Sequence, residues 1–383
     1  MTSAAEASRH ALRVVPADRG RARSDFLRVP WPLYAADPAW VPPLLLERRL
    51  QLSRRRPYFA HARAAFWVAY RGPQAVGRIS AQVDRLHLER HRDGSGFFGL
   101  LEAQDDPEVF AALFNRAEEW LRSQGLTRVR GPFDLSINEE CGLLIDGFGT
   151  PPMIMMRHGR PYYAARLEEC RYRPAKDLLA YRLTDPIEMT PVMQAAIAKL
   201  EDVRVRPLRR GHLREELDIL RDIFEDAWVD NWGFVPFTAA EFAELGWVLR
   251  FVVDDDFVQI AEVAGAPAAM RVLLPNITAL IRDLDGRLLP FGWARLLVRL
   301  LRQRPRTGRV ALMGVRKRYQ RTPLGLGLAC LVIDTVRRAG QARGVREVEL
   351  SWILEDNLGV RRILEALGGT PYKRYRIYEK DLG

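Results

Sequence analysis

The period of the hydrophobic positions changes repeatedly along the chain, and each change marks an element. Residues 64–70 (AAFWVAY) and 75–83 (AVGRISAQV) are apolar runs on either side of Gly72-Pro73, the pattern of a hairpin. A short strand is expected at 97–102. Asp105-Asp106-Pro107 then opens a helix, because acidic caps followed by proline favour a first turn. Its apolar face carries Val109, Phe110, Leu113, Ala117, Trp120 and Leu121, and it ends near Gln124-Gly125. Thr127–Gly131 begins another strand. From Arg9 to Tyr181 the pattern is therefore mixed α and β.

Residues 182–202 read as a connector holding one helix (PVMQAAIAKL), and a second series starts at Val203. A strand is expected at 203–208, helices at 213–228 and 238–249, and hairpin strands at 257–264 and 268–274. An amphipathic helix at 292–302 follows, then a strand at 309–315 and a helix at about 325–343. A strand at 346–353, a helix at 358–367 and a last strand at 372–379 complete the series. The two halves share one order of elements, so the expected fold is α/β (α+β): two tandem domains, each a mixed, mostly antiparallel sheet flanked by helices. The divisions are 1–181, a connector at 182–202, and 203–383.

The length of 383 residues allows two to three domains at roughly 150 residues each. Apolar residues at 48% and charged residues at 28% supply a core and exclude disorder for the chain as a whole. Cys141, Cys170 and Cys330 form no CxxC pair, which argues for a reducing compartment and against a disulfide framework. No apolar run is long enough to span a bilayer, and the stretch up to Phe26 lacks the apolar block of a secretory signal, so a cytoplasmic protein is expected. Lys and Arg outnumber Asp and Glu by 59 to 48, a formal charge of +11 that favours an anionic partner. The basic charge carries no recognisable nucleic-acid module, so no nucleic acid is expected. His87 and His91 do not form a zinc-protease motif, their stretch does not read as a buried helix, and no metal is expected.

Chemistry concentrates in residues 309–380. After the apolar strand come Arg316, Lys317, Arg318, Tyr319, Gln320, Arg321, Thr322 and Pro323, and then Gly325 and Gly327 open a long helix. Glycines admit a close backbone approach, and the free N–H groups of a first helical turn attract an anion such as a pyrophosphate. A solvated basic loop ahead of an ordinary helix is the other reading. The equivalent helix of the first half opens on Asp105 and Asp106, which would repel a phosphate.

This order resembles the GNAT superfamily of acyl-CoA N-acyltransferases. In that family the pattern (Gln/Arg)-x-x-Gly-x-(Gly/Ala) holds the pyrophosphate of coenzyme A. Thr322-Pro323-Leu324-Gly325-Leu326-Gly327 matches at both glycines, with Thr322 at the first position and Arg321 one residue early. Asn357 matches the family's asparagine after the fifth strand, and Leu364 stands where a tyrosine acid is common. The resemblance implies acyl-CoA as substrate, held by Val315, Arg316, Lys317, Arg318, Arg321, Thr322, Gly325 and Gly327, with a backbone N–H near Val315 serving the oxyanion. It also implies a first half that is a degenerate copy, packed against the second and shaping the acceptor site. On this reading Gly325→Asp should abolish acyl-CoA binding with the fold intact.

Acylation of an amine needs a base, an oxyanion donor and a proton for the thiolate. Glu349, Glu355 and Asp356 are candidate bases, and Tyr372, Tyr375 and Tyr378 are candidate acids. Glu349, Asn357 and Tyr372 are the catalytic assignments, although Glu349 alternates with apolar neighbours as a solvent-facing strand residue also would. Ser136–Glu140 reads as a polar turn or an arm toward the cleft.

Two features point to a greasy acceptor. Trp293, Leu296, Leu297, Leu300 and Leu301 share one face of a helix whose other side carries Arg295, Arg299 and Arg302, a pattern that suits an anionic membrane surface or a core-packed helix. Met153, Ile154, Met155 and Met156 suit a lipid channel or a core. The phrase SWILEDN and the ending YKRYRIYEK resemble bacterial ceramide synthases of GNAT type. That resemblance implies transfer of a long-chain fatty acyl group from acyl-CoA to a sphingoid base, by a cytoplasmic enzyme peripheral on the inner membrane. A small-substrate N-acetyltransferase and a non-catalytic CoA- or lipid-binding module are the alternatives.

Overall fold

The computed structural model describes residues 11–383, the side chains at 248–252 apart. The expected start of the first series at Arg9, and the first ten residues of the stretch tested for a signal sequence, lie outside the described residues. The rest forms two compact units. One comprises the described residues up to Leu178 with Leu284–Arg287 and Lys373–Gly383; the other comprises Leu179–Asp283 and Leu288–Tyr372.

The first unit contains β1 (Leu12–Pro16), α1 (Gly20–Arg28), α2 (Pro30–Tyr34), α3 (Leu45–Gln51), β2 (Ala62–Arg71) and β3 (Gln74–Asp84). It continues through α4 (Arg85–His91), β4 (Ser95–Ala103), α5 (Pro107–Ser123), β5 (Arg128–Gly131), β6 (Leu143–Asp146), α6 (Tyr163–Glu169) and the start of β7 (Arg173–Thr184). The second contains α7 (Pro191–Ala198), β8 (Val203–Pro207), α8 (Leu213–Trp228), α9 (Ala239–Val252), β9 (Val258–Val263), β10 (Ala266–Pro275) and α10 (Thr278–Ile281). Then follow α11 (Gly292–Arg302), β11 (Thr307–Val315), α12 (Pro323–Ala342), β12 (Glu347–Leu354), α13 (Leu358–Ala366) and β13 (Thr370–Asp381), whose last residues belong to the first unit.

The shared element order is a shared topology. In the first unit β1, β2, β3 and β4 pair antiparallel in sequence and β4 pairs parallel with β5. In the second, β8, β9, β10 and β11 repeat the antiparallel order and β11 pairs parallel with β12. A parallel pair needs a crossover, and α5 and α12 supply it in the two copies.

Packing follows the periodicity. Val109, Phe110, Leu113, Phe114, Ala117 and Leu121 of α5 are buried against Ile79, Ala81, Phe98 and Val129, each large side chain contributing about 1.5–3 kcal/mol. A Cβ on Gly77 would lie 2.9 Å from Leu113, so that glycine lets helix and sheet approach closely. In the second unit Leu328 and Val332 of α12 bury against Ala261, Ala268 and Ala269. Helices α1–α3 and strands β1, β6 and β7 are not apparent in the hydrophobic pattern, and residues read as connector at 182–184 end β7. The stretch around His87 forms the helix α4 after all: Asp84 caps it, accepting from the Leu86 N–H, and His87 is buried.

Candidate active site

Strands β11 and β12 pair from Thr307↔Glu347 to Val310↔Leu350, and the pairing stops there. Beyond it β11 stays with β10, with Ala311 inserted as a bulge between Val310↔Leu273 and Leu312↔Val272. Among the described residues, the edge of β11 after the bulge thus has no strand partner on its β12 side, and its backbone groups are left for other partners.

A polar cluster sits where the strands part. Arg309 and Glu349 are cross-strand partners, and the two-residue period places Ser351 on the face of Glu349. The Ser351 hydroxyl donates to Glu349 Oε1 at 2.7 Å, Arg309 Nε donates to Ser351 Oγ at 2.8 Å, and Arg309 Nε lies 3.6 Å from Glu349 Oε1. Tyr372, on β13, donates its phenol to Glu349 Oε2. The Arg309 guanidinium stacks 4.4 Å from the Trp352 ring centroid, and Arg182 lies 5.2 Å from that of Tyr372. Glu349 and Arg309 are inaccessible to solvent, whereas Tyr372 is half-buried and is the accessible end of the chain of bonds. Glu349 is therefore not a solvent-facing strand residue.

The remaining acid and base candidates lie elsewhere. Asn357 caps α13, its side chain accepting from the Val360 N–H at 3.3 Å, which is a structural task. Asp356 is exposed, and the Glu355 carbonyl accepts from Arg361. Tyr375 and Tyr378 are fully buried, with hydroxyls donating to the Arg157 carbonyl and to Glu168. Leu364 is a buried core residue of α13.

The glycine-rich loop is braced by its own contacts. Thr322 caps α12, accepting from the Gly325 N–H at 3.0 Å, and its own hydroxyl donates to the Tyr319 carbonyl. A Cβ on Gly325 would fall 2.0 Å from the Tyr319 oxygen, and one on Gly327 would fall 2.6 Å from Leu200 and 2.9 Å from the Ala196 oxygen. Both glycines admit the close approach of the protein's own backbone and side chains. Substituting Gly325 would thus deform the loop, so Gly325→Asp does not isolate ligand binding. Two of the four loop cations are already neutralised: Arg316 pairs with Asp222 and Lys317 with Asp230 at 2.5 Å, while the Lys317 N–H donates to Asp226. Arg318, stacked on Tyr319, and Arg321 are exposed and make no ion pair among the described residues. Val315 closes β11, and its carbonyl accepts from Gln320 at 2.8 Å, which folds the loop back.

The corresponding opening in the first unit is filled by acid. Asp106 caps α5, accepting from the Glu108 N–H at 2.9 Å, while Arg71 bridges Asp106 and Glu108 and Arg166 holds Asp105. Glu139 and Glu140 are tied to Arg56 and Arg48, so Ser136–Glu140 is a fixed turn, and burial pushes the Glu139 carboxyl up. Met153 and Met156 are buried core residues. Residues 309, 351 and 352 are missed by a sequence reading; the period-two spacing of Ser351 from Glu349 was the available signal, and Arg309 was hidden at the end of a basic run.

No family model matches the chain. It is 48% identical over 360 residues to protein YghO of Escherichia coli (strain K12), covering 93% of this chain and 92% of that protein. It is 42% identical over 376 residues to the bacterial ceramide synthase of Caulobacter vibrioides (strain NA1000 / CB15N), covering 97% and 98%. Among solved structures, a tandem GNAT protein from the clavulanic acid biosynthesis pathway superposes with a TM-score of 0.57 at 14% identity, covering 97% of this chain and 99% of that one. A GCN5-related N-acetyltransferase from Sphaerobacter thermophilus gives 0.53 at 15% identity, covering 97% and 96%. The duplicated sheet order and these similarities agree: the chain is a tandem GNAT-fold protein and belongs to the family that includes YghO and the bacterial ceramide synthase of C. vibrioides.

Proposed function

We propose that this protein is an acyl-CoA-dependent N-acyltransferase that transfers a long-chain fatty acyl group to the amine of a sphingoid base, giving a ceramide. The observation that carries the reading is the Tyr372–Glu349 pair at the parting of β11 and β12. The amine nitrogen attacks the thioester carbonyl carbon in a ternary complex, forming the C–N bond and then breaking the C–S bond. The amine proton passes to the Tyr372 oxygen as the phenol proton moves to Glu349. Reversal of that relay protonates the departing thiolate and restores both side chains. Backbone N–H groups on the unpaired edge of β11 take the oxyanion. Tyr372 in this way supplies the acid for which Leu364 has no hydrogen to give.

The exposed guanidiniums of Arg318 and Arg321, beside the capped start of α12, are the acyl-CoA phosphate site; Arg316 and Lys317 shape the loop from their ion pairs. The family relative named a ceramide synthase supports the sphingoid acceptor. A lipid acceptor places the work at the cytoplasmic face of the inner membrane, with the protein peripheral; no helix among the described residues is long and apolar enough to cross a membrane.

The test is release of free thiol by the purified protein from palmitoyl-CoA with a sphingoid base, beside acetyl-CoA with small amines, and lipid mass spectrometry of cells lacking the protein. Loss of an N-acylated sphingoid lipid in those cells supports the assignment. Turnover with acetyl-CoA and a polyamine alone would replace it with the small-substrate reading. Binding of acyl-CoA with no thiol release from any amine would replace it with the binding-module reading.

A further inference from the structure

Helix α11 buries none of its residues. Thirteen large apolar side chains are exposed among the described residues, and seven of them fall between 289 and 301: Leu289, Phe291, Trp293, Leu297, Val298, Leu300 and Leu301. Leu301 is 77% exposed, a value that no core-packed helix gives its apolar stripe, and Leu289, ahead of the helix, is 78% exposed. At about 100° per residue, Trp293, Leu297 and Leu301 form one stripe and Arg295 and Arg302 lie opposite. The helix is held by its shoulder: Arg299 donates to the Leu280 carbonyl at 2.7 Å and pairs with Asp283. That anchoring leaves the leucine stripe outward.

Charge selects the occupant. No acidic residue occurs between Asp285 and Asp334 in the sequence, while Arg295, Arg302, Arg304 and Arg306 are all exposed in and just after the helix. A second copy would bring the same arginines against these, in a chain whose formal charge is already +11. An anionic bilayer meets both halves of the pattern, with acyl chains for the leucines and headgroups for the guanidiniums, and Trp293 suits the boundary between them.

We infer that α11, with Leu289 and Phe291 ahead of it, is the segment that inserts into an anionic bilayer surface, lying in the plane of the interface. The inference rests on the peripheral-membrane part of the proposed function and is independent of its chemistry.

The experiment is flotation of the full chain with vesicles of phosphatidylglycerol and phosphatidylethanolamine, beside vesicles of phosphatidylcholine alone. Wild type is expected to float with the anionic vesicles and to be released in part by salt. Leu297→Glu with Leu301→Glu should reduce flotation at least about tenfold, because two inserted side chains are lost and charge is reversed. Both positions are exposed, and an unchanged thermal midpoint verifies the fold. Wild type remaining in solution with anionic vesicles overturns the inference, as does equal flotation of the double variant. A wild-type dimer that the double variant abolishes, with no flotation of either, assigns the patch to self-association instead. Thiol release from detergent-dispersed substrates should be unchanged in the variant. Flotation as expected, with no thiol release from either protein, would sink the acyl-transfer reading and leave the docking surface standing.

Discussion

Replacing Arg309 by methionine gives the sharpest test of the site. The guanidinium is buried with its side chain 1% exposed, and Glu349 beside it is 0% exposed, so solvent screens neither. Removing the cation leaves Glu349 with its bonds from Ser351 and Tyr372 but with no Arg309 charge 3.6 Å away. An uncompensated buried charge typically costs about 3–5 kcal/mol. The complementary change, Glu349→Leu, takes the carboxylate from beside the guanidinium, and the double variant Arg309→Met/Glu349→Leu should recover at least about 2 kcal/mol relative to the sum of the singles. Urea unfolding followed by circular dichroism measures all three variants. Single losses that add within about 0.5 kcal/mol would refute the coupling between the two side chains.

Tyr372→Phe and Glu349→Gln should each lower kcat for thiol release by about 10²-fold or more, with little change in KM for acyl-CoA, and the two effects should be far from additive because they break one relay. Arg318→Glu with Arg321→Glu should raise KM for acyl-CoA roughly tenfold and weaken its salt dependence, whereas Asp105→Asn should do neither. Gly327→Val should destabilise the protein by about 1–3 kcal/mol in thermal unfolding, because its Cβ position lies 2.6 Å from Leu200. Burial pushes the His87 imidazole below its ordinary value of 6.5, so the folded state resists the proton that the unfolded chain accepts. Its contribution is present above 6.5 and is lost as pH falls toward the lowered value; its partner Asp93, held at about 2, stays ionised throughout. The stability difference between wild type and His87→Gln should therefore narrow on acidification, and a difference independent of pH would contradict it.

The sequence alone determined the alternation of elements, since burial of one face imposes periods of 2 and 3.6 that α5, α12 and the hairpins display plainly. It also placed Glu349 and Tyr372 among the candidate bases and acids of the second half, and it determined that Asp105 and Asp106 open the first copy's helix and that α11 is amphipathic. Short helices such as α1–α3 left no such trace, because a turn or two repeats too little of the period to be read. Tertiary structure decided the rest, because partners far apart in the chain meet only through strand pairing. Register set Arg309 opposite Glu349 and brought Tyr372 to the same carboxylate. The fold of the loop turned Gly325 and Gly327 inward and matched Arg316 and Lys317 with carboxylates of α8 and of the turn that follows it. Whether the leucines of α11 would be covered was likewise beyond any pattern in the chain, since an amphipathic helix records that it has an apolar face and not what lies against it.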